Sequence, residues 1–276
     1  MATINNNVWR KYTNHFAWPT LFLALFILLG FGVSTVFATN NPHLWIYLGV
    51  WHTILLYLSF SVAHEASHGN IHGSHKRWKW LNPALGWVFS GFFLVPFSVF
   101  RRIHLRHHGV TNNPHEDPDY WVAADKWWKV ALRCLTIFFH YFSNLGGAIL
   151  GESPKAICSW RANVIATFAI ATMILVPYAL GYIYVFCVLW LIPVILSSAF
   201  LALVFDWLPH HPHQVQQRFM DSRIILFPGL NALFLGHNYH LIHHLYPKIP
   251  FYHYKTCFEE IEDDLREKGA PISGLS

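Results

Sequence analysis

Charged residues are scarce in this chain. Asp, Glu, Lys and Arg make up only 12% of its 276 residues, against roughly a quarter of an ordinary soluble domain. Hydrophobic residues reach 54% and aromatic residues 17%, which excludes an ordinary soluble domain and is typical of a protein with long membrane segments and aromatic belts. In such a chain the formal net charge of +5 reflects membrane topology, and we expect no nucleic-acid partner.

Cysteine is equally scarce. Four cysteines are present and none belongs to a C-x-x-C pair, which excludes a disulfide framework and a zinc ribbon. We interpret all four as packing residues: Cys134, Cys158, Cys187 and Cys257.

One stretch of 44 residues, between Arg161 and Asp206, contains no Asp, Glu, Lys or Arg. As a helix it would extend about 66 Å, twice the roughly 30 Å of a hydrocarbon core. It therefore predicts two spans with a turn at Pro177 to Gly181, and Pro193 predicts a kink in the second. With two earlier apolar runs, the predicted fold is an all-α integral membrane protein, a single domain over 1–276 with spans at about 18–38, 44–63, 162–178 and 183–205.

Three other segments predict helices outside the spans. The apolar run 84–100 is short and contains Pro96, so we expect a re-entrant or interfacial segment. The segment 132–150 predicts an interfacial amphipathic helix. Near the C-terminus, Thr256 and Glu259 have the spacing of a capping box. We expect that helix to bury one face and to end at Gly269; the face consists of Phe258, Ile261 and Leu265.

The positions of Lys and Arg predict the orientation. All 19 lie before Trp18, between His64 and Arg161, or after Asp206. The positive-inside rule then places both termini and the central loop in the cytoplasm of a bacterial inner membrane. The alternative is that the first span is a cleaved signal peptide, because Val36 to Ala38 resembles a cleavage site, but its apolar run is too long for the usual signal core.

Histidine is abundant, with 20 residues, and three clusters have helical spacing. In a helix, residues three and four apart share a face. A segment H-x-x-H-H therefore points two imidazoles the same way, with the third close beside them. The clusters are His64 with His68, His104 with His107 and His108, and His240 with His243 and His244. A fourth group follows the last span: Asp206, His210, His211 and His213. The predicted topology places all four on the cytoplasmic side.

These clusters predict a metal centre. Imidazole binds Zn, Cu, Fe and Ni. Zinc sites usually stop at four ligands, so eight or nine histidines imply two metals. Because no cysteine accompanies them, thiolate copper and iron–sulfur chemistry are disfavoured, and two non-haem irons with open positions for O2 are the natural interpretation. Acidic residues should orient the rings; the candidates are Glu65, Glu116, Asp117, Asp119 and Asp206.

The remaining histidines are interpreted separately. Surface or packing roles are favoured for His15, His43, His52, His72, His75, His140 and His253. A supporting role beside the clusters stays open for His115, His211, His213 and His237.

The segments HEASH (64–68), HLRHH (104–108) and HLIHH (240–244), in this order among four spans, resemble the membrane fatty-acid-desaturase superfamily. The resemblance implies nine histidines holding two irons, with O2 as co-substrate. It implies as ligands His64, His68, His104, His107, His108, His210, His240, His243 and His244. Asp206 stands where such families have a polar residue that contacts the site through water.

Within that superfamily, HLRHHGVTNNPHEDPDYW (104–121), FDWLPHHPHQ (205–214) and GHNYHLIHHLYPKIPFYHY (236–254) are similar to the bacterial β-carotene hydroxylase branch. The chain departs from that branch at Glu65, where Asp is common, and at His237, where Gln is expected. The resemblance implies oxygen addition at C3 of a β-ionone ring. The alternatives are a fatty-acyl lipid desaturase and, in another class, a non-catalytic His-rich metal- or haem-binding membrane protein.

The substrate is expected to be a membrane lipid or carotenoid that enters from the bilayer. Its route could be lined by Phe92, Phe93, Phe97, Phe100, Trp121, Phe227 and Phe234, although ordinary aromatic packing explains them as well. Electrons must come from an external donor protein, since no flavin, haem or iron–sulfur motif is present. An acidic ferredoxin docked on Arg101, Arg102 and Arg106 is one prediction; ordinary positive-inside charge is the alternative.

Overall fold

The computed structural model of the chain describes residues 8–149 and 160–274. These residues are mostly helical, which confirms the predicted all-α membrane class. The α-helices are α1 (Arg10–Thr13), α2 (Trp18–Asn40), α3 (Trp45–His68), α4 (Leu81–Gly91), α5 (Phe97–Val110), α6 (Trp127–Ile149), α7 (Trp160–Ala179), α8 (Ile183–Phe186), α9 (Ile192–Leu201), α10 (Leu230–Leu233), α11 (His240–Leu245) and α12 (Tyr254–Glu267). Two π-helical turns, Cys187–Leu191 and Ala202–Trp207, lie before and after α9.

Within the described residues, three helical segments are long and apolar enough to cross a membrane. They are Trp18–Asn40, Pro42–His68 and Ile183–Trp207, and they coincide with three of the four predicted spans. The remaining predicted span, 162–178, overlaps α7, whose apolar part Thr167–Ala179 is shorter. The chain is therefore a membrane protein, and the count of four spans stays a prediction.

The membrane helices pack closely through small residues. Gly49 of α3 lies against the π-helical turn, where an added Cβ would stand 2.8 Å from the carbonyl oxygen of Val188. Small residues at such positions let helix backbones approach in a lipid environment, where apolar burial alone does not drive association. Around them, α2 exposes large apolar side chains such as Phe22 and Val33 and buries Ile27 and Phe31.

Pro193 is the second residue of α9, which begins directly after the first π-helical turn. A proline cannot donate to the carbonyl four residues earlier, which here belongs to Leu189. His52 of α3 lies beside that carbonyl, with Nδ1 2.6 Å from the oxygen, and its Nε2 lies 2.7 Å from Ser34 Oγ. The buried His52 is therefore a packing residue, as expected, and it joins three membrane helices through polar contacts.

The two weaker apolar segments form helices with other bounds than predicted. The run 84–100 is divided between α4 and α5, because Pro96 starts a new helix and Leu94 adopts a left-handed φ of 58°. The helix predicted at 132–150 begins earlier, at Trp127, and residue 150 lies outside the described part. Helix α6 buries Cys134 and Ile137 and exposes Leu132 and Phe139, as an amphipathic helix does.

A separate apolar core lies under the C-terminal helix. Phe258, Ile261 and Leu265 of α12 are buried beside Leu241 and Ile242 of α11, which confirms the predicted face. The helix ends before Gly269, whose φ is +75°, as predicted.

The predicted capping box is wrong. Helix α12 begins at Tyr254, two residues before Thr256, and its N-cap residue His253 makes no side-chain capping bond. The physical reason is local, because Pro250 leads into a 3₁₀ turn, Phe251–His253, that continues directly into the helix.

A short sheet was not predicted. Strands β1 (Ile224–Leu226) and β2 (Ile272–Gly274) pair in parallel, with Ile224 opposite Ile272. Gly274 is required at this place, since an added Cβ would overlap the carbonyl oxygen of Leu226. Runs of three residues are too short to give a periodic signal, so only the tertiary structure reveals the pair.

Candidate metal centre

Nine imidazoles converge at the ends of the membrane helices and form two groups. The five-histidine group consists of His64, His68, His104, His108 and His243. The four-histidine group consists of His107, His210, His240 and His244. Within each group, the candidate ligand atoms all lie within 4.8 Å of one another. These nine residues are the ones that the family resemblance implied as ligands.

Helical spacing explains how each H-x-x-H-H segment serves both groups. On α5, His104 and His108 enter the five-histidine group, while His107 enters the other. On α11, His240 and His244 stay together, while His243 crosses over. At about 100° per residue, positions four apart differ by roughly 40°, and adjacent positions diverge by roughly 100°. Each segment thus presents an i, i+4 pair to one group and a single ring to the other.

The distances between ring nitrogens fit metal ligation. The closest Nε2–Nε2 pairs are His68 with His104 at 2.7 Å and His64 with His243 at 3.0 Å. In the other group, His240 lies 3.1 Å from both His210 and His244. Two nitrogens bound at about 2.1 Å to one ion would be about 3.0 Å apart at a right angle and about 3.4 Å apart at a tetrahedral angle. Each group could therefore hold a metal ion.

Acidic and carbonyl partners orient the four-histidine group. The Nδ1 atom of His107 lies 2.9 Å from Asp117 Oδ1 and 3.3 Å from Asp119 Oδ2. Burial opposes a charge on His107, but Asp119 and Asp117 raise its pKa to about 9. The Nδ1 atom of His210 lies 2.9 Å from the carbonyl oxygen of Asp221. Because Nδ1 is occupied in both rings, Nε2 faces the centre of the group, the usual arrangement of histidines that bind metals.

The five-histidine group has fewer outer partners. Tyr254 Oη lies 2.9 Å from His243 Nδ1, and Glu65 Oε1 lies 3.6 Å from His64 Nδ1. Asn70 holds the other Glu65 oxygen at 3.2 Å. Burial lowers the pKa of His104 well below its usual range, as it does for His108 and His243. Their rings are then neutral, which is the form that binds a metal.

The end of α3 is fixed by two basic side chains. Lys248 Nζ donates to the carbonyl oxygen of His68, and Arg101 Nε donates to that of Ser67 at 2.8 Å. Both carbonyls belong to the last turn of the helix, where cations are favourable. The two contacts anchor the helix end that carries His64 and His68.

A cavity of about 110 Å³ lies beside the centre. Its polar wall contains Asp119, Asp206, Tyr141 and Ser198 together with His104, and Tyr141 Oη donates to Asp119 Oδ1 at 2.5 Å. Its apolar wall consists of Phe60, Phe93, Val95, Phe100, Ile103, Ile137, Phe138, Leu201, Ala202 and Phe205. The cavity therefore joins an apolar volume to the edge of the metal centre.

The predicted aromatic wall is only partly found in this cavity. Phe93 and Phe100 line it. The other predicted positions, Phe92, Phe97, Trp121, Phe227 and Phe234, are not among its lining residues. Sequence reasoning missed Phe60, Phe138, Tyr141 and Phe205, which come from α3, α6 and the second π-helical turn. Residues from helices so far apart in the chain carry no shared sequence signal.

The remaining predicted supporting residues have different surroundings. His237 is buried, with its ring 5.2 Å from that of His64 and its Nε2 3.4 Å from Ser61 Oγ, outside both groups. Glu116 and His115 are exposed; the carbonyl of Glu116 accepts from Arg106 Nε. His211 is exposed, and His213 is buried 6.2 Å from the ring of His210.

Comparisons with known proteins agree with this geometry. A family model described as fatty acid desaturase matches residues 39–276. A β-carotene ketolase of Paracoccus sp. (strain N81106 / MBIC 01143) is 26% identical over 248 residues, which cover 86% of this chain and 85% of the relative. A second β-carotene ketolase, from Paracoccus sp. (strain PC1), is 24% identical over 70% of each chain. Fatty acid conjugase FAC2 A of Calendula officinalis is 22% identical, covering 80% of this chain and 67% of the relative.

Proposed function

Since the chain belongs to the fatty acid desaturase family, and is thus a membrane oxidoreductase, we propose that it oxygenates the ring of β-carotene, with hydroxylation at C3 as its main reaction. The observation that carries the proposal is the nine-histidine centre next to an apolar, aromatic cavity. The two β-carotene ketolases among the relatives support a carotenoid as substrate. Family membership sets aside the non-catalytic alternative.

We propose that each histidine group holds one non-haem iron. Imidazole-only groups of four and five ligands suit iron, and the outer partners Asp117, Asp119 and Tyr254 hold the rings of His107 and His243. The bound irons would supply the reduction of O2 and the oxidation of an unactivated C–H bond. Hydroxylation of one such bond consumes O2, two electrons and two protons, and it yields the alcohol and one water.

The chain's own residues position the substrate and exclude water. The ring of the substrate lies in the cavity against Phe60, Phe100 and Phe205, with His104 at its end. Tyr141 keeps its proton directed at Asp119, so the carboxylate remains turned toward His107. Asp206 contributes a polar group to the same wall.

The electrons come from an external donor in this proposal. An acidic ferredoxin suits the basic side chains of α5 best. Arg101 Nε is engaged with the end of α3, whereas Arg106 is exposed although its Nε donates to the carbonyl oxygen of Glu116; we therefore propose Arg102 and Arg106 as the docking residues. Reversing both to Glu should slow ferredoxin-driven turnover while chemically reduced turnover is unchanged. Equal rates of ferredoxin-driven turnover would contradict the docking role.

We further propose a multi-pass orientation in a bacterial inner membrane, with both termini and the metal centre in the cytoplasm. In this orientation 162–178 crosses the membrane in addition to the three segments named above. The distribution of Lys and Arg supports it. Reporter fusions after residues 41, 181 and 276 test this orientation, because the first two should report the outside and the last the cytoplasm. A cytoplasmic report at residue 181 would contradict a membrane span at 162–178.

Expression in bacteria that accumulate β-carotene tests the reaction. Zeaxanthin is the expected product. If keto derivatives of β-carotene form instead, the substrate is a carotenoid as proposed, but the reaction is ketolation, for which the Paracoccus relatives are named, and not 3-hydroxylation. Unchanged carotene together with altered acyl chains would favour the second candidate, a fatty-acyl desaturase, which the similarity to the Calendula conjugase supports. The His107→Ala variant is the control, since it should form none of these products.

A further inference from the structure

Asn112 occupies a buried position two residues after the end of α5. Its side chain and backbone are only 3% exposed, and its φ is +62°. Left-handed backbone is sparsely populated by residues other than glycine, and Asn is among those that tolerate it best. A costly conformation at a buried polar residue indicates that the surrounding contacts hold it there.

The amide of Asn112 binds two backbone carbonyls. Its Nδ2 donates to the oxygens of Val215 and Asp221, both at 2.7 Å. Because carbonyl oxygens only accept, the amide nitrogen must face them, and the orientation of the side chain is fixed. The backbone N–H of the same residue donates to Asp117 Oδ2 at 2.8 Å.

Two of these three acceptors, Asp221 and Asp117, also hold a ring of the four-histidine group. The carbonyl of Asp221 is the partner of His210 Nδ1, and the other oxygen of Asp117 is the partner of His107 Nδ1. Asn112 thus connects the supports of two rings that come from separate parts of the chain. The five-histidine group has its own outer partners, Tyr254 and Glu65.

We propose that Asn112 is a positioning residue that holds His107 and His210 in register, so that the four-histidine group retains its metal. The inference rests on the proposed di-iron function and adds a selective role within it. Loss of this amide should loosen His210 through the carbonyl of Asp221 and leave the other group intact, while the backbone N–H that supports Asp117, and through it His107, is retained. Residues that hydrogen-bond a ligating histidine typically change metal affinity by about 10–100-fold, and Asn112 acts through one such partner, the carbonyl of Asp221.

Two substitutions separate the amide from the backbone. Asn112→Asp keeps the shape and tolerates the left-handed φ, but it places an oxygen against the two carbonyls. Asn112→Gly also tolerates that φ and removes the side chain altogether.

The adjacent Asn113 provides the matched control. Its Oδ1 accepts from the backbone N–H groups of His115 and Glu116 at 3.0 and 3.2 Å. Asn113→Asp retains the oxygen that accepts both bonds. The same chemical change one residue later should therefore have little effect.

The experiment uses the full-length chain in lipid nanodiscs. Iron per chain is measured by elemental analysis, the rate of iron loss to a chelator is followed, and Mössbauer spectra count the iron environments. We expect about two irons in the wild type and in Asn113→Asp. Both Asn112 variants should lose one of the two irons about 10–100-fold faster, with unchanged elution and circular dichroism.

Three results would overturn the inference. Wild-type release rates in both Asn112 variants would show that the amide does not support the group. Equal loss of both irons would show that Asn112 acts through the whole fold. A wild-type chain without two irons would instead contradict the proposed function, and this inference with it, so the two failures are distinguishable.

Discussion

The two histidine groups are supported in different ways. The five-histidine group takes four of its rings as i, i+4 pairs from α3 and α5, two regular helices. The four-histidine group depends on His210, which lies in a turn after the last membrane helix, and on a ring held by two buried acids. Helical backbone fixes the first group directly, whereas the second requires carboxylates, a backbone carbonyl and the Asn112 amide. The second group should therefore be the more easily broken.

Removal of one ring should give the largest effect and the clearest contrast. His107→Ala leaves three imidazoles in its group and two buried carboxylates without their partner, which is strongly destabilising. His243→Ala leaves four imidazoles in the other group. Turnover should fall by at least about 100-fold in both, while only His107→Ala should lose an iron completely; elemental analysis measures the difference. Intact metal content and turnover in either variant would contradict the two-group centre.

Changes to the outer partners should have smaller effects, again larger in the four-histidine group than in the five-histidine group. Asp117→Asn removes a charged partner of His107, so we expect about 10–100-fold weaker iron retention in the four-histidine group. Tyr254→Phe removes a neutral contact to His243, worth about 0.5–1.5 kcal/mol. Chelator-release kinetics compare the two. A larger loss in Tyr254→Phe would reverse the proposed contrast.

Filling the cavity should affect neither group. Leu201→Trp adds bulk to the apolar wall, so turnover of the carotenoid should fall by about tenfold or more, with iron content at the wild-type value. Product analysis and iron analysis of the same preparation provide the measurement. Loss of iron in this variant would mean that the cavity wall supports the centre rather than the substrate.

The smallest effect is expected at His211. Its side chain is exposed and packs against Trp207, with ring centroids 4.9 Å apart. Although it directly follows the ligand candidate His210, His211→Ala should leave both iron content and turnover within about twofold of the wild type, since isolated surface substitutions cost little. Selective loss of the iron of the four-histidine group would show that the turn itself depends on this residue.

The helical part of the site was predictable because its signal is periodic. The spacings in HEASH, HLRHH and HLIHH follow the turn of a helix, and all three segments place their rings together as expected. His210 was found only through its distance from Asp206 in a family resemblance. Tyr254, Asn112 and the carbonyl of Asp221 had no such signal, because each reaches a ring from a segment with its own local structure.

Errors at segment ends have a similar origin. The capping box at Thr256 was a correct local pattern, but Pro250 and the following 3₁₀ turn started α12 earlier. The strand pair β1–β2 joins residues 48 apart in sequence, beyond the reach of any local pattern. The bulk of α6 was expected, although its start was not, since propensities locate a helix better than they locate its ends.

The sequence by itself determined the membrane class and the helical spacing of eight imidazoles, since apolar length and a 3.6-residue period can be recognised in consecutive residues; a family resemblance added the ninth, His210. Only the tertiary structure decided how those nine divide into five and four, which carboxylates and carbonyls hold them, and which side chains enclose the cavity. The reason is physical: the direction of a ring follows from the backbone that carries it, but its partners come from whichever distant segments the packed helices bring within hydrogen-bonding distance.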